Sequence, residues 1–354
     1  MTIDLRSDTV TRPSRAMRRA MMDAEVADDI LDGDPTTSRL ERAVAGILGM
    51  PAALFFPSGI QANQTAIMIH TESGSELVLE ADAHMIHYEM GAVAALSGVQ
   101  IRPVVTADGI LTADQIVGAL RPEGSYMPRV TAVAVENTHN YAGGKVMPLG
   151  CWDEIVATCR EHELPLHLDG ARVWNAATSI NETPERVVRG ATTVAVCLSK
   201  GLGCPVGSCL VGDEAIMGRA RELRRMLGGS MRQSGILAAA GLYALEHNMV
   251  RLAEDHANAK LLAGCLAEHP LLRVVEPDSN IVMMDLTRPD LEAARIVELI
   301  GRAGVALTPY GPRRLRAITH LDVTAEDIET AGWVIRDVLD HVARKNFAGS
   351  LRDE

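Results

Sequence analysis

Val194-Ala195-Val196-Cys197-Leu198-Ser199-Lys200-Gly201-Leu202-Gly203-Cys204-Pro205-Val206-Gly207 joins an unbroken apolar run to a lysine and then to a glycine-rich loop. A run without polar alternation, here Thr192 to Leu198, predicts a strand covered on both faces, as in parallel sheets with helices above and below. In such sheets ligands bind where the C-terminal ends of strands meet their loops. Lys200 stands at such an end. Burial there opposes the charged form of an amine, and a neutral amine is what Schiff-base chemistry needs.

Outward from this strand, similar runs recur at Ala52–Phe56, Leu77–Glu80, Ile101–Val104, Val130–Val135, Leu164–Asp169 and Val206–Val211. Helical patterns separate them. One carries Leu40, Ala43, Val44, Ile47 and Leu48 on one face, with Ser38-x-x-Glu41 as its predicted capping box and Gly49 at its end; Thr112-x-x-Gln115 opens another. The alternation predicts an α/β fold with a mostly parallel sheet flanked by helices. From Val250 the pattern changes to a long helix, three short strands and a last amphipathic helix, Ala325–Val342. Residues 1–249 are therefore read as a large domain that includes the N-terminal segment, and residues 250–354 as a smaller α+β domain.

Two further strand ends carry chemistry. In Leu166-His167-Leu168-Asp169-Gly170-Ala171-Arg172, the period of two puts His167 and Asp169 on one face, with Asp169 at the C-terminal edge. Pro57-Ser58-Gly59-Ile60 ends a strand and starts a helix whose first N–H groups and dipole suit a phosphate. Each feature alone is common. A lysine for a Schiff base, an aspartate for a protonated pyridine nitrogen and a helix N-terminus for a phosphate are together what pyridoxal 5'-phosphate requires. Nucleotide motifs fail by spacing: Gly201-x-Gly203-x-x-x-Gly207 has its third glycine one residue late, and Gly144-Lys145 is followed by Val146 rather than Ser or Thr.

Composition narrows the partners. The 354 residues carry a formal charge of −12 with acids and bases interspersed, which argues against nucleic acid as the main partner. No apolar stretch approaches the ~20 residues of a membrane span, and the polar N-terminus resembles neither a signal nor a transit peptide. The six cysteines form no C-x-x-C pair, so free thiols in a cytoplasmic protein are expected and a metal site is not.

The motifs then resemble those of one family, the L-threonine aldolases. Arg6-Ser7-Asp8-Thr9-Val10-Thr11, Asp28-Asp29, Asp34-Pro35-Thr36, Glu136-Asn137-Thr138-His139, the segments around Asp169 and Lys200, Met231-Arg232-Gln233-Ser234-Gly235 and Arg316-Ala317-Ile318-Thr319-His320-Leu321-Asp322 follow in the family's order. The resemblance implies a fold-type I enzyme dependent on pyridoxal 5'-phosphate, a homotetramer with shared sites, cleaving β-hydroxy-α-amino acids such as L-threonine and L-allo-threonine to glycine and an aldehyde. By the same resemblance Lys200 forms the internal aldimine and Asp169 pairs with the pyridine nitrogen. Ser58, Gly59 and Ile60 belong to the phosphate site, and Arg172 contacts the ring hydroxyl or the substrate carboxylate. His84 stacks on the ring and bears on the substrate hydroxyl. Ser7 and Arg316 grip the carboxylate, and Arg232 approaches the site. Leu31 stands where relatives carry tyrosine, and Tyr126 is aligned with a histidine of some relatives. The competing reading on the same fold is β-elimination or transamination.

Overall fold

The computed structural model describes residues 2–122, 124 and 126–350. The chain divides into two compact units, residues 12–249 and residues 1–11 with 250–354. The N-terminal segment, assigned above to the large domain, thus belongs to the other unit. Ile3–Asp4 pairs in parallel with Val305–Ala306, and Leu5 is wholly buried in that unit's core. A two-residue strand carries too little pattern to name its partner.

In residues 12–249 seven strands form one sheet: β1 (Ala52–Phe56), β2 (Glu76–Glu80), β3 (Gln100–Val104), β4 (Val130–Glu136), β5 (Leu166–Gly170), β6 (Thr193–Cys197) and β7 (Ser208–Gly212). Their order is β1-β7-β6-β5-β4-β2-β3. β6, β5, β4, β2 and β3 run parallel, and β7 is antiparallel to both of its neighbours. The two central strands β5 and β6 are buried at every residue, which is why their sequences show no polar alternation. The loop from Lys200 can turn back into β7 only because Gly207 has φ +114°; a Cβ there would lie 2.6 Å from the Phe55 ring.

Helices α1 (Pro35–Leu48) and α2 (Gly59–His70) pack against β1 and β7, as does the helix Glu214–Met226. α1 begins a turn before the predicted box. Asp34 caps it through Thr37 N–H at 2.8 Å, with Pro35 at the first position, and Glu41 instead accepts the Phe55 N–H at 2.9 Å. The box at Thr112 and Gln115 does form, and Gly49 ends α1 in the left-handed region. α2 is capped by Ser58, whose Oγ accepts the Gln61 N–H at 3.2 Å. All six cysteines are free thiols. Among the described residues no helix is long and apolar enough to cross a membrane.

The second unit holds a four-stranded antiparallel sheet in the order Thr308–Pro309, Arg314–Ile318, Ile281–Leu286, Leu272–Val274. Helices Leu252–Leu266, Ala293–Arg302 and Ala325–Ser350 belong to it. Asp255 on the first of these is 1 % exposed and neither carboxylate oxygen has a hydrogen-bond partner. Burial, opposed by Arg251 but reinforced by Asp8, Glu254 and Asp322, pushes its pKa to about 7. The folded state thus binds this proton more tightly than the unfolded chain. Stability from this group is full below the unfolded pKa near 4 and is lost as pH rises to about 7. Asp255→Asn is therefore expected to raise Tm by about 2–4 °C at pH 8 and to change it little at pH 4. Thermal scans at both pH values check this, and an equal shift at both would discredit the buried-charge account.

Candidate active site

The C-terminal ends of β1, β5 and β6 deliver Ser58, Asp169 and Lys200 to one cavity of about 260 Å³. Gly59, Ile60, Asn63 and His84 also line it, as do Cys197 and Ser199. A larger cavity of about 360 Å³ lies at the β3 edge, where Arg102 and Arg121 both pair with Glu76; it offers neither a nucleophile nor an acid–base pair. The smaller cavity is the place where a half-buried amine, a buried carboxylate and a helix N-terminus meet.

At one end of that cavity the Ser58 cap uses the Gln61 N–H and leaves the N–H groups of Gly59 and Ile60 at the wall. Ser208 Oγ, buried and without a hydrogen-bond partner, lies 3.4 Å from where a Cβ on Gly59 would stand. Two helix N–H groups beside an unclaimed hydroxyl form a donor set that fits a phosphate.

At the other end Asp169 is 3 % exposed. Its Oδ1 accepts the Ala171 N–H at 3.1 Å and its Oδ2 accepts Asn63 Nδ2 at 2.9 Å. Asn63 Nδ2 also donates to Glu89 Oε1 at 3.0 Å, which fixes the amide's orientation. Asn63 Oδ1 is then the acceptor facing His167 Nε2 at 3.1 Å, so that nitrogen carries the proton. His167 Nδ1 in turn accepts from Thr193 Oγ1 at 2.9 Å, and Thr193 Oγ1 accepts from His70 Nε2 at 2.8 Å. Burial keeps both rings neutral, lowering His167 to about 3 and His70 to about 4. Asp169 is thus anchored by a chain of donors whose direction is fixed. An anchored carboxylate fits a protonated ring nitrogen, and Lys200 fits an aldehyde.

His84 is set by two carboxylates. Its backbone N–H donates to Glu136 Oε2 at 2.7 Å, and Nδ1 lies 3.0 Å from Glu89 Oε1. Burial alone would lower its pKa. The Glu89 hydrogen bond and the charges of Asp169 and Glu136 outweigh that and hold it above the ordinary value.

The other expected residues stand apart from this lining. Arg172 is buried and donates to Asn140 Oδ1 at 3.3 Å. Arg232 is exposed and pairs with Asp28 at 3.2 Å. Ser7 and Arg316 belong to the other unit: Ser7 Oγ caps a short 3-10 turn through the Thr9 N–H, and the Arg316 guanidinium lies 4.4 Å over the Tyr310 ring. Leu31 is exposed in the turn after Asp28, and Tyr126 is fully exposed and does not line the cavity. Sequence reading missed Asn63, Glu89 and Ser208.

Comparison with known proteins gives this geometry a context. Residues 4–289 match the model of the beta-eliminating lyase family. The low specificity L-threonine aldolase of Escherichia coli (strain K12) is 42% identical over 327 residues, covering 92% of this chain and 96% of that protein. Among solved structures, the threonine aldolase of Leishmania major superposes with a TM-score of 0.80 at 21% identity, covering 95% of this chain and 99% of that one. A variant serine palmitoyltransferase from S. paucimobilis, with a bound PLP–myriocin aldimine, gives 0.73 at 20% identity over 97% and 88% of the two chains.

Proposed function

This chain belongs to the beta-eliminating lyase family, in its threonine aldolase branch, and from that premise we propose that it cleaves L-threonine, L-allo-threonine and related β-hydroxy-α-amino acids to glycine and an aldehyde, with pyridoxal 5'-phosphate as cofactor. The observation that carries this reading is the meeting of Lys200, Asp169, His84 and the α2 N-terminus at one cavity in a chain so similar to low-specificity L-threonine aldolases.

Lys200 would hold the cofactor through Nζ, Asp169 would hold the proton on its ring nitrogen, and Gly59 and Ile60 N–H with the Ser58 turn would bind its phosphate. When bound, the cofactor supplies a ring that accepts the electron pair of the breaking Cα–Cβ bond. His84 takes the proton from the substrate hydroxyl, directly or through a water it orders. Arg316 and Ser7 are assigned to the substrate carboxylate, for which a guanidinium fork is suited, and anchoring there decides which bond at Cα is aligned for cleavage. Arg172 is assigned to the ring hydroxyl or the same carboxylate, and Arg232 to a neighbouring site. A cytoplasmic homotetramer with shared sites, consuming threonine and forming glycine, completes the proposal.

A product assay tests the reaction. Threonine, allo-threonine and phenylserine are each expected to give glycine with acetaldehyde or benzaldehyde in equal amounts. Ammonia with 2-oxobutanoate from the threonines, or with phenylpyruvate from phenylserine, as the main products would replace this reading by β-elimination.

A further inference from the structure

We propose that Glu89 is a positioning residue for this reaction: it holds the proton of the His84 imidazole on Nδ1 and so leaves Nε2 as the base that faces the substrate hydroxyl. This rests on the aldolase reading of the site.

Glu89 is 1 % exposed, yet it makes no ion pair with lysine or arginine among the described residues. Its Oε1 meets His84 Nδ1 and Asn63 Nδ2, each at 3.0 Å, and its Oε2 accepts Gln64 Nε2 at 2.5 Å. Three polar side chains thus converge on one buried carboxylate, and their hydrogen bonds offset the cost of burying it. The turn that sends Glu89 inward is itself unusual. Met90 follows with φ 55°, a region that side chains other than glycine rarely adopt, and is 95 % exposed.

Glu89 accepts an amide N–H on each oxygen and so faces His84 as an acceptor, which requires N–H at His84 Nδ1. Glu136 holds the His84 backbone N–H, the Tyr88 ring lies 5.3 Å from the imidazole, and the imidazole itself is held by Glu89. Charged groups around His84 are Glu89, Glu136 and Asp169, with Lys200 lining the same cavity; His87, on the same short helix, turns to Asp82. Of the three carboxylates, Glu89 is the one hydrogen-bonded to the imidazole. Asn63 spans Glu89 and Asp169 with one amide group, so the counter-charge of the ring nitrogen and the partner of the base are held in one rigid frame.

Three measurements on the holoenzyme decide the matter. In wild type, 15N-histidine NMR at alkaline pH, where the His84 ring is neutral, is expected to show it protonated at Nδ1 and bare at Nε2; the reverse tautomer would overturn the assignment without reference to any variant. Glu89→Gln should keep the cofactor's visible band, lower kcat/KM about 10- to 100-fold, and move the acid limb of the kcat/KM profile down by about one pH unit. Glu89→Asp should recover part of both. In a His84→Asn background, Glu89→Gln should change activity by less than about twofold. An acid limb left at its wild-type pH, or an equal loss in both backgrounds, refutes action through His84. Glycine formation by the wild type in those cases leaves the aldolase reading standing, whereas no glycine from the wild type removes that reading first.

Discussion

Lys200→Ala is expected to abolish turnover, with kcat falling at least about a thousandfold, while the fold survives. The side chain lies half-buried at the cavity wall, beyond the last residue of β6, so its removal leaves Thr193–Cys197 packed as before. Melting temperature should stay within a few degrees of wild type. Sequence makes the chemical part of this test clean, because the chain has only four lysines, at 145, 200, 260 and 345. Borohydride reduction of the cofactor-loaded wild type should add the cofactor's mass to the peptide that contains Lys200, and the variant should gain none. Cofactor trapped on another lysine, or wild-type turnover without Lys200, would end the proposed chemistry. Loss of activity with loss of fold would show only that the residue is structural, which is why melting is measured beside the assay.

Lys200, Asp169 and the Ser58–Ile60 turn were legible because each stands at the end of a run whose apolar character announces a buried strand. Local pattern fixes the strand, and the rule that ligands gather at strand C-termini does the rest. Asn63, Glu89 and Ser208 left no comparable mark. Asn63 takes its meaning from partners 26 and 106 residues away, Glu89 and Asp169, and no spacing rule reaches that far. The trace they left is faint: Asn63-Gln64-Thr65 is a run of three polar residues within one helix, and all three are buried. Polar residues buried in succession imply a hydrogen-bonded network to be accounted for. Two failures were of a different kind. At α1 two capping signals competed, and Asp34-Pro35 won over Ser38-x-x-Glu41 because proline at the first position preorganises the turn. The N-terminal eleven residues joined the other unit through a pairing of two residues, too short to carry periodicity.

Asp169→Asn should nearly eliminate activity, by at least about a hundredfold, although it preserves size and shape. Both oxygens of the carboxylate already face fixed donors, the Ala171 N–H on Oδ1 and Asn63 Nδ2 on Oδ2. Asn63 cannot turn its amide to compensate, since its Nδ2 is also held by Glu89 and its Oδ1 by the protonated Nε2 of His167. An asparagine at 169 has one accepting oxygen and one donating NH2, so one of the two contacts becomes donor against donor. A buried donor left without a partner costs about 1–3 kcal/mol, so a modest fall in Tm should accompany the loss of activity. Removing the charge also takes away the counter-ion for a protonated ring nitrogen, and the cofactor's Kd, measured by equilibrium dialysis, should rise at least about tenfold. Asp169→Ala should weaken cofactor binding similarly, since it also deletes the charge but adds no opposing donor. If the asparagine variant bound cofactor and turned over threonine as wild type does, the anchored carboxylate would be a packing element, and the directional chain from His70 to Asp169 would have no part in the chemistry.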